Sequence, residues 1–120
     1  MDPEWNDNQP IYRQLRDMVV AMILDGLLKE GDPLPSVRNV AAEYRVNPLT
    51  VLKAYQELVD SDLVEKRRGL GMFVTNGAGT RLLETERLKF LAEQWPQIRL
   101  TIQRLGLSVE TLMTTPAKES

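Results

Sequence analysis

Two short basic groups carry the clearest capacity for chemistry in this chain. Across residues 36–54 the charged side chains are Arg38, Arg45 and Lys53, opposed by Glu43 alone, and across residues 66–74 they are Lys66, Arg67 and Arg68. Cations interspersed with the hydrogen-bonding side chains of Ser36, Asn47 and Thr50 suit a polyanion, where guanidinium and ammonium groups meet phosphate oxygens and small polar groups add neutral donors. The net charge of −2 conceals this local excess. Taken alone, either group is equally a solvated face, so the fold has to bring the two together.

Catalytic and metal chemistry have little to work with. The 120 residues include no Cys and no His, which removes thiolate nucleophiles, disulfides, the commonest general base and the commonest metal ligands. The remaining carboxylate pairs, Glu57 with Asp60 and Glu84 with Glu86, fall on helix faces expected to be solvated. We therefore expect no catalytic residue, no metal and no cofactor. The opening MDPEWNDNQP is acidic rather than a basic and then apolar leader, and no run approaches the ~20 apolar residues of a membrane span. A cytoplasmic protein without a membrane partner is expected.

The positioning elements follow from periodicity. After Pro10, the residues Ile11, Leu15, Met18, Val19, Met22 and Ile23 recur at helical spacing, with Gly26 as the stop. Ser36 suits the N-cap of a short second helix with Val37, Val40, Ala41 and Tyr44 behind it. Asn47 caps and Pro48 opens a third helix, whose buried face is expected from Val51, Leu52, Tyr55, Leu58 and Val59. Residues 63–66 and 72–75 read as strands joined by RRGLG, where Gly69 and Gly71 permit a tight hairpin. Helix, helix, helix and hairpin, with three or four residues between the second and third helices, is a winged helix-turn-helix order. In that arrangement Asn47, Leu49, Thr50 and Lys53 face a major groove. Ser36 and Arg38 clamp a phosphate, and Arg67, Arg68 and Gly69 either enter a minor groove or lie along the backbone.

Asn76, Gly77, Ala78 and Gly79 read as a flexible joint before a second helical region. There Leu88, Leu91, Trp95, Ile98, Ile102 and Leu105 alternate spacings of three and four, a seam for lengthwise helix packing. Such a seam meets either a twin chain or its own head, and its regularity favours the twin. Pro96 should kink the helix or divide it near Trp95, Gly106 should end it, and Ser108 should cap a last short helix. Trp95, Phe90 and Met113 read as core or as the lining of a small apolar cavity. The expected division is a DNA-binding head at 1–76, a linker at 77–79, a helical dimerisation region at 80–115 and a disordered tail at 116–120. The fold class is mainly α with a small β-hairpin wing. A protein-interaction module built on the same helices is the rival reading; it would not need basic side chains facing a groove.

The segments PIYRQL at 10–15, ILDGLLKEGDPLPSVR at 23–38, VNPLTVLKAYQEL at 46–58 and RRGLGMFV at 67–74 resemble, in order and spacing, the GntR family of winged-helix transcription regulators, and among them its short YtrA-type branch. The resemblance implies a repressor acting as a homodimer on an inverted-repeat operator in double-stranded DNA. It implies contacts from Ser36, Arg38, Asn47, Pro48, Leu49, Thr50, Lys53, Arg67, Arg68 and Gly69, with the C-terminal helices joining the dimer. Larger members append an effector-binding domain that residues 80–120 are too few to form, so any small-molecule effector stays unassigned. Two positions depart from the family: Pro48 stands where many relatives have Arg, and Asp62 stands where a glycine is usual. Leu49 is placed to touch a thymine methyl group.

Overall fold

A computed structural model describes residues 5–117. The chain divides into two compact units, the first ending at Leu83 and the second beginning at Glu84. In the first, helices α1 (Ile11–Leu24), α2 (Val37–Tyr44) and α3 (Pro48–Asp60) precede strands β1 (Val64–Arg67) and β2 (Gly71–Val74), and α4 (Ala78–Lys89) starts within it. This is a mainly helical winged helix-turn-helix head with a two-stranded antiparallel wing.

Helix α3 is the centre of this unit: α1, α2 and β1 all pack on it. Val51, Ala54 and Leu58 have no exposed surface and Tyr55 keeps 3%. Around them lie Leu15, Val19 and Ile23 of α1, Val40 and Ala41 of α2, and Val64 and Val74 of the hairpin. Two residues depart from the expected stripes. Leu52 is 44% exposed, because it sits one residue, about 100°, off the line through Val51, Tyr55 and Leu58, while Ala54 fills that line. Ile11 lies beyond the reach of the core at 37% exposure. An ion pair, Arg16 to Glu57 at 3.0 Å, ties α1 to α3 at the rim of the core. Asp17, hydrogen-bonded to the same guanidinium, is the largest influence raising the Arg16 pKa.

The wing is wider than its two strands. The register pairs Val64 with Val74 and Arg67 with Gly71, one residue away from the expected 63–66 and 72–75. Residues 31–34 add a third edge to it: the Gly31 N–H donates to the Val74 carbonyl and the Leu34 N–H to the Met72 carbonyl, both at 2.8 Å, while the Val74 N–H donates to the Asp32 carbonyl at 2.9 Å. The segment leading into α2 is thereby fastened to the wing. Asp62 connects α3 to β1 in the left-handed conformation, φ 61°, which explains how this position works without glycine: Asp tolerates that region better than most residues.

The expected joint is ordered. Helix α4 begins at Ala78, not near Thr80, so Ala78 and Gly79 are helical, and Ala78 and Leu82 lie in the head's core at 0% and 6% exposure. The Gly77 N–H donates to Glu30 Oε1 at 2.6 Å, and Arg81 donates to the carbonyls of Asp62 at 2.7 Å and Asn76 at 3.1 Å. Composition alone suggested a joint; these bonds and the burial of Ala78 attach the segment to the head.

In the second unit α4 runs into a π-helical stretch, Phe90–Gln94, followed by α5 (Trp95–Leu105) and α6 (Val109–Thr114). Pro96 falls in the first turn of α5, within a continuous helical path, and the widened turn before it makes room for its ring and its missing N–H. Gly106, φ 64°, closes α5, and Ser108 Oγ accepts from the Thr111 N–H at 3.4 Å to start α6. Residues 118–120, part of the tail expected to be disordered, lie outside the described residues. Among those described, no helix is long and apolar enough to cross a membrane.

Substitution at Asp62 should expose the conformational demand there. Asp62→Gly is expected to unfold at a denaturant midpoint at or above that of the parent, and Asp62→Val to be less stable than Asp62→Gly by about 1–2 kcal/mol. Equal stability of the two variants would contradict a required left-handed residue.

Candidate nucleic-acid interface

Each candidate site residue is held by an identifiable local cause. Ser36 is the N-cap of α2, its Oγ accepting from the Asn39 N–H at 3.1 Å. The first-turn amides of Val37 and Arg38 have no carbonyl partner within their own helix, and the Arg38 side chain is exposed beside them. Asn47 caps α3 in the same way, its Oδ1 accepting from the Leu49 N–H at 2.8 Å, and Pro48 takes the first helical position. Beyond the cap, Leu49 is 70% exposed, Thr50 is half-buried and Lys53 is exposed. The N-terminal end of α3 is therefore presented to solvent while the opposite face is sealed in the core.

Lys53 is not free to wander. Its Nζ lies 4.1 Å from the centre of the Tyr12 ring, a cation–π contact that holds the ammonium beside α1. Tyr12 was not singled out from the sequence; its place in α1, 41 positions before Lys53, gave no local signal. On the wing, Arg67 pairs with Glu65 at 2.8 Å and stacks 4.3 Å from the centre of the Phe73 ring. That neutralises part of its charge and stiffens the outer face of the hairpin. Arg68 is exposed and, among the described residues, makes no ion pair; Gly69 follows at φ 76°.

The start of α2, α3 and the basic wing meet across one groove of about 380 Å³, into which none of the cations Arg38, Arg45 and Lys53 enters. Its walls include Ser36 and Val37 from the start of α2, Leu52 and Tyr55 from α3, and Lys66, Arg67 and Gly69 from the wing. Tyr55 sets the distance between two of these elements by donating from its hydroxyl to the Pro35 carbonyl at 2.8 Å, directly before the Ser36 cap. Burial, with a smaller contribution from Tyr44, pushes the Tyr55 phenol up to about 12. The exposure of Leu52 now has a reason: it forms the α3 wall of the groove.

The seam residues of the tail unit are not sequestered. Leu88, Leu91, Ile98 and Leu105 are 65%, 57%, 41% and 63% exposed, and Trp95 and Ile102 are half-buried. Phe90 at 41% and Met113 at 81% are exposed, which corrects the expectation that they are core. Six residues of α6 are too few to cover α5. Among the described residues no cluster of three His, Cys, Asp or Glu is placed to hold a metal ion.

A sealed α3 with a solvent-facing, capped N-terminus, a preceding short helix capped by Ser36, and a basic hairpin beside them define a winged helix-turn-helix DNA-binding regulator. Comparison with known proteins gives the family. The model of bacterial regulatory proteins of the gntR family matches residues 11–74. The transcriptional repressor YtrA of Bacillus subtilis is 36% identical over 112 residues, spanning 93% of this chain and 84% of its own. The transcriptional regulator YhcF of the same organism is 32% identical, spanning 94% and 92%. A transcriptional regulator from Oenococcus oeni, solved by crystallography, superposes with a TM-score of 0.72 at 29% identity, covering 92% of this chain and 91% of its own. The chain belongs to the GntR family of transcription regulators.

Tyr55 yields a pH test. Its pKa is raised on folding, so the stability it contributes is complete below the unfolded phenol value near 10 and is lost as pH climbs toward about 12. Tyr55→Phe should cost about 1 kcal/mol at pH 8 through the lost Pro35 bond, and the gap to the parent should narrow between pH 10 and 12. Paired urea titrations would show it; a constant gap across that range would contradict the assignment.

Proposed function

We propose that this protein is a transcriptional repressor that occupies an inverted-repeat operator as a homodimer in the cytoplasm. The observation that supports this reading is the convergence of the α2 start, α3 and the wing on one groove lined by Ser36, Lys66, Arg67 and Gly69, with Arg38, Asn47, Leu49, Thr50, Lys53 and Arg68 on the same three elements or their ends. The N-terminal end of α3 reads base edges in the major groove, with Leu49 against a thymine methyl. Pro48 offers no donor and acts through the backbone. The α2 amides and Arg38 hold a phosphate, which fixes register without reading sequence.

Dimerisation is supported by energetics. One head makes few phosphate contacts and reads a few base pairs, too little for selective occupancy of one site in a genome. The tail displays an apolar row far larger than a solvated helix needs, and a second copy of the same row is its natural complement under two-fold symmetry. Two heads related by that axis meet an operator with the same symmetry. Bound there, the dimer excludes polymerase; the repressor name of the Bacillus subtilis relative YtrA points the same way. A signal that alters the angle between heads would release it.

Two sets of variants test the reading. Arg38→Ala and Lys53→Ala are each expected to weaken operator binding by about 1–3 kcal/mol, and a lost phosphate contact should lower the slope of affinity against salt by about one ion. Unchanged affinity in both would contradict the site. Ile98→Glu combined with Leu105→Glu should sediment as a monomer and lose most operator affinity while its head stays folded. A dimer that persists would contradict the tail's role.

A further inference from the structure

Leu70 is the most exposed large apolar side chain of the head, at 72%, and it occupies the tip of the wing. The tip is a tight turn closed by the Leu70 N–H donating to the Arg67 carbonyl at 2.9 Å. Gly69 and Gly71 flank it at φ 76° and 110°, and a Cβ on either would meet nothing within 4 Å. The glycines are therefore there for backbone direction, not for space, and between them Leu70 stands at the wing end of the groove, largely exposed to solvent.

The base beneath the tip is stiff. Val64 and Val74 anchor the hairpin in the core at 2% and 1% exposure, and the strand-like residues 31–34 brace β2. The Glu65, Arg67 and Phe73 side chains lock its outer face. An aliphatic group projecting from a braced support has no donor or acceptor, so it reads no hydrogen-bond code. Pushed between base pairs it does mechanical work instead. Arg68 beside it and Lys66 on the groove side supply the cations that draw phosphates in around it.

We propose that Leu70 is an apolar wedge that enters the minor groove next to each half-site and partly unstacks one base step. The proposal rests on the reading of the head as a duplex binder. It makes the wing a reader of deformability: pyrimidine–purine steps, which unstack most readily, are preferred at a position where no base edge is hydrogen-bonded. Specificity then has two components, α3 on base edges and Leu70 on the stiffness of the flanking step.

The test uses the full chain, the operator selected by the wild type, and duplexes differing only in the step flanking each half-site, TA against a GC-rich step. The wild type is expected to favour TA by about tenfold, within the range one altered base pair produces. A 2-aminopurine placed at that step should brighten on binding, because unstacking relieves its quenching. Leu70→Ala should keep the melting temperature of the parent, bind both duplexes within about twofold of each other, and leave the probe dark. Leu70→Met should restore both readouts. If Leu70→Ala retains the flank preference and the probe response, or weakens both duplexes equally, Leu70 is no wedge. A wild type that binds no duplex overturns the wedge together with the reading beneath it; one that binds without flank preference or probe response overturns the wedge alone.

Discussion

The burial of one face of α3 is the constraint on which the rest of the head depends. Val51, Ala54 and Leu58 are completely enclosed, and three other elements meet on them. With that face sealed, helical geometry decides which side chains α3 can offer to a partner: those at its capped N-terminal end and along the opposite face. Leu49 and Lys53 are therefore exposed by the same packing that hides Val51 and Leu58. Recognition and stability are two sides of one helix.

The wing obeys a related constraint. A two-stranded hairpin alone is marginal in water, and this one acquires rigidity from the residues 31–34, from two buried valines and from the turn at Asp62. The same residues 31–34 lead into the Ser36 cap, so the start of α2 and the basic wing share a backbone ladder. Tyr55 adds a direct bond from α3 to Pro35. The contact surfaces of the head are thus fixed relative to one another before any DNA arrives, which lowers the ordering cost of binding.

Much of this was legible in the residues. Pro10, Ser36, Asn47 with Pro48, Gly106 and Ser108 sit at helix ends because each satisfies or terminates backbone groups locally, and local rules read such positions well. The stripes of α1 and α2 were equally plain. Pairings across distance were not. Residues 31–34, in a run of Gly, Asp and Pro, look like loop yet pair with β2, since their partner lies some forty positions away. The ordering of Ala78 depends on Glu30, Asp62 and the core, none of which its neighbours announce. Leu52 and Ala54 exchanged expected roles because hydrophobicity outweighed angular position in the reading of α3. The roles of Tyr12 and Arg67 carry no local signal, for each depends on a contact between elements or across strands.

The central claim is that two identical heads, each reading through the exposed end of α3, address one symmetric site. The most direct measurement is selection of bound sequences from a pool of random duplexes by the full chain. Recovered sequences should share an inverted repeat of two short half-sites with a fixed spacing, their centres separated by a whole number of helical turns. Recovery of unrelated sequences, or of a single half-site without its inverted partner, would contradict it.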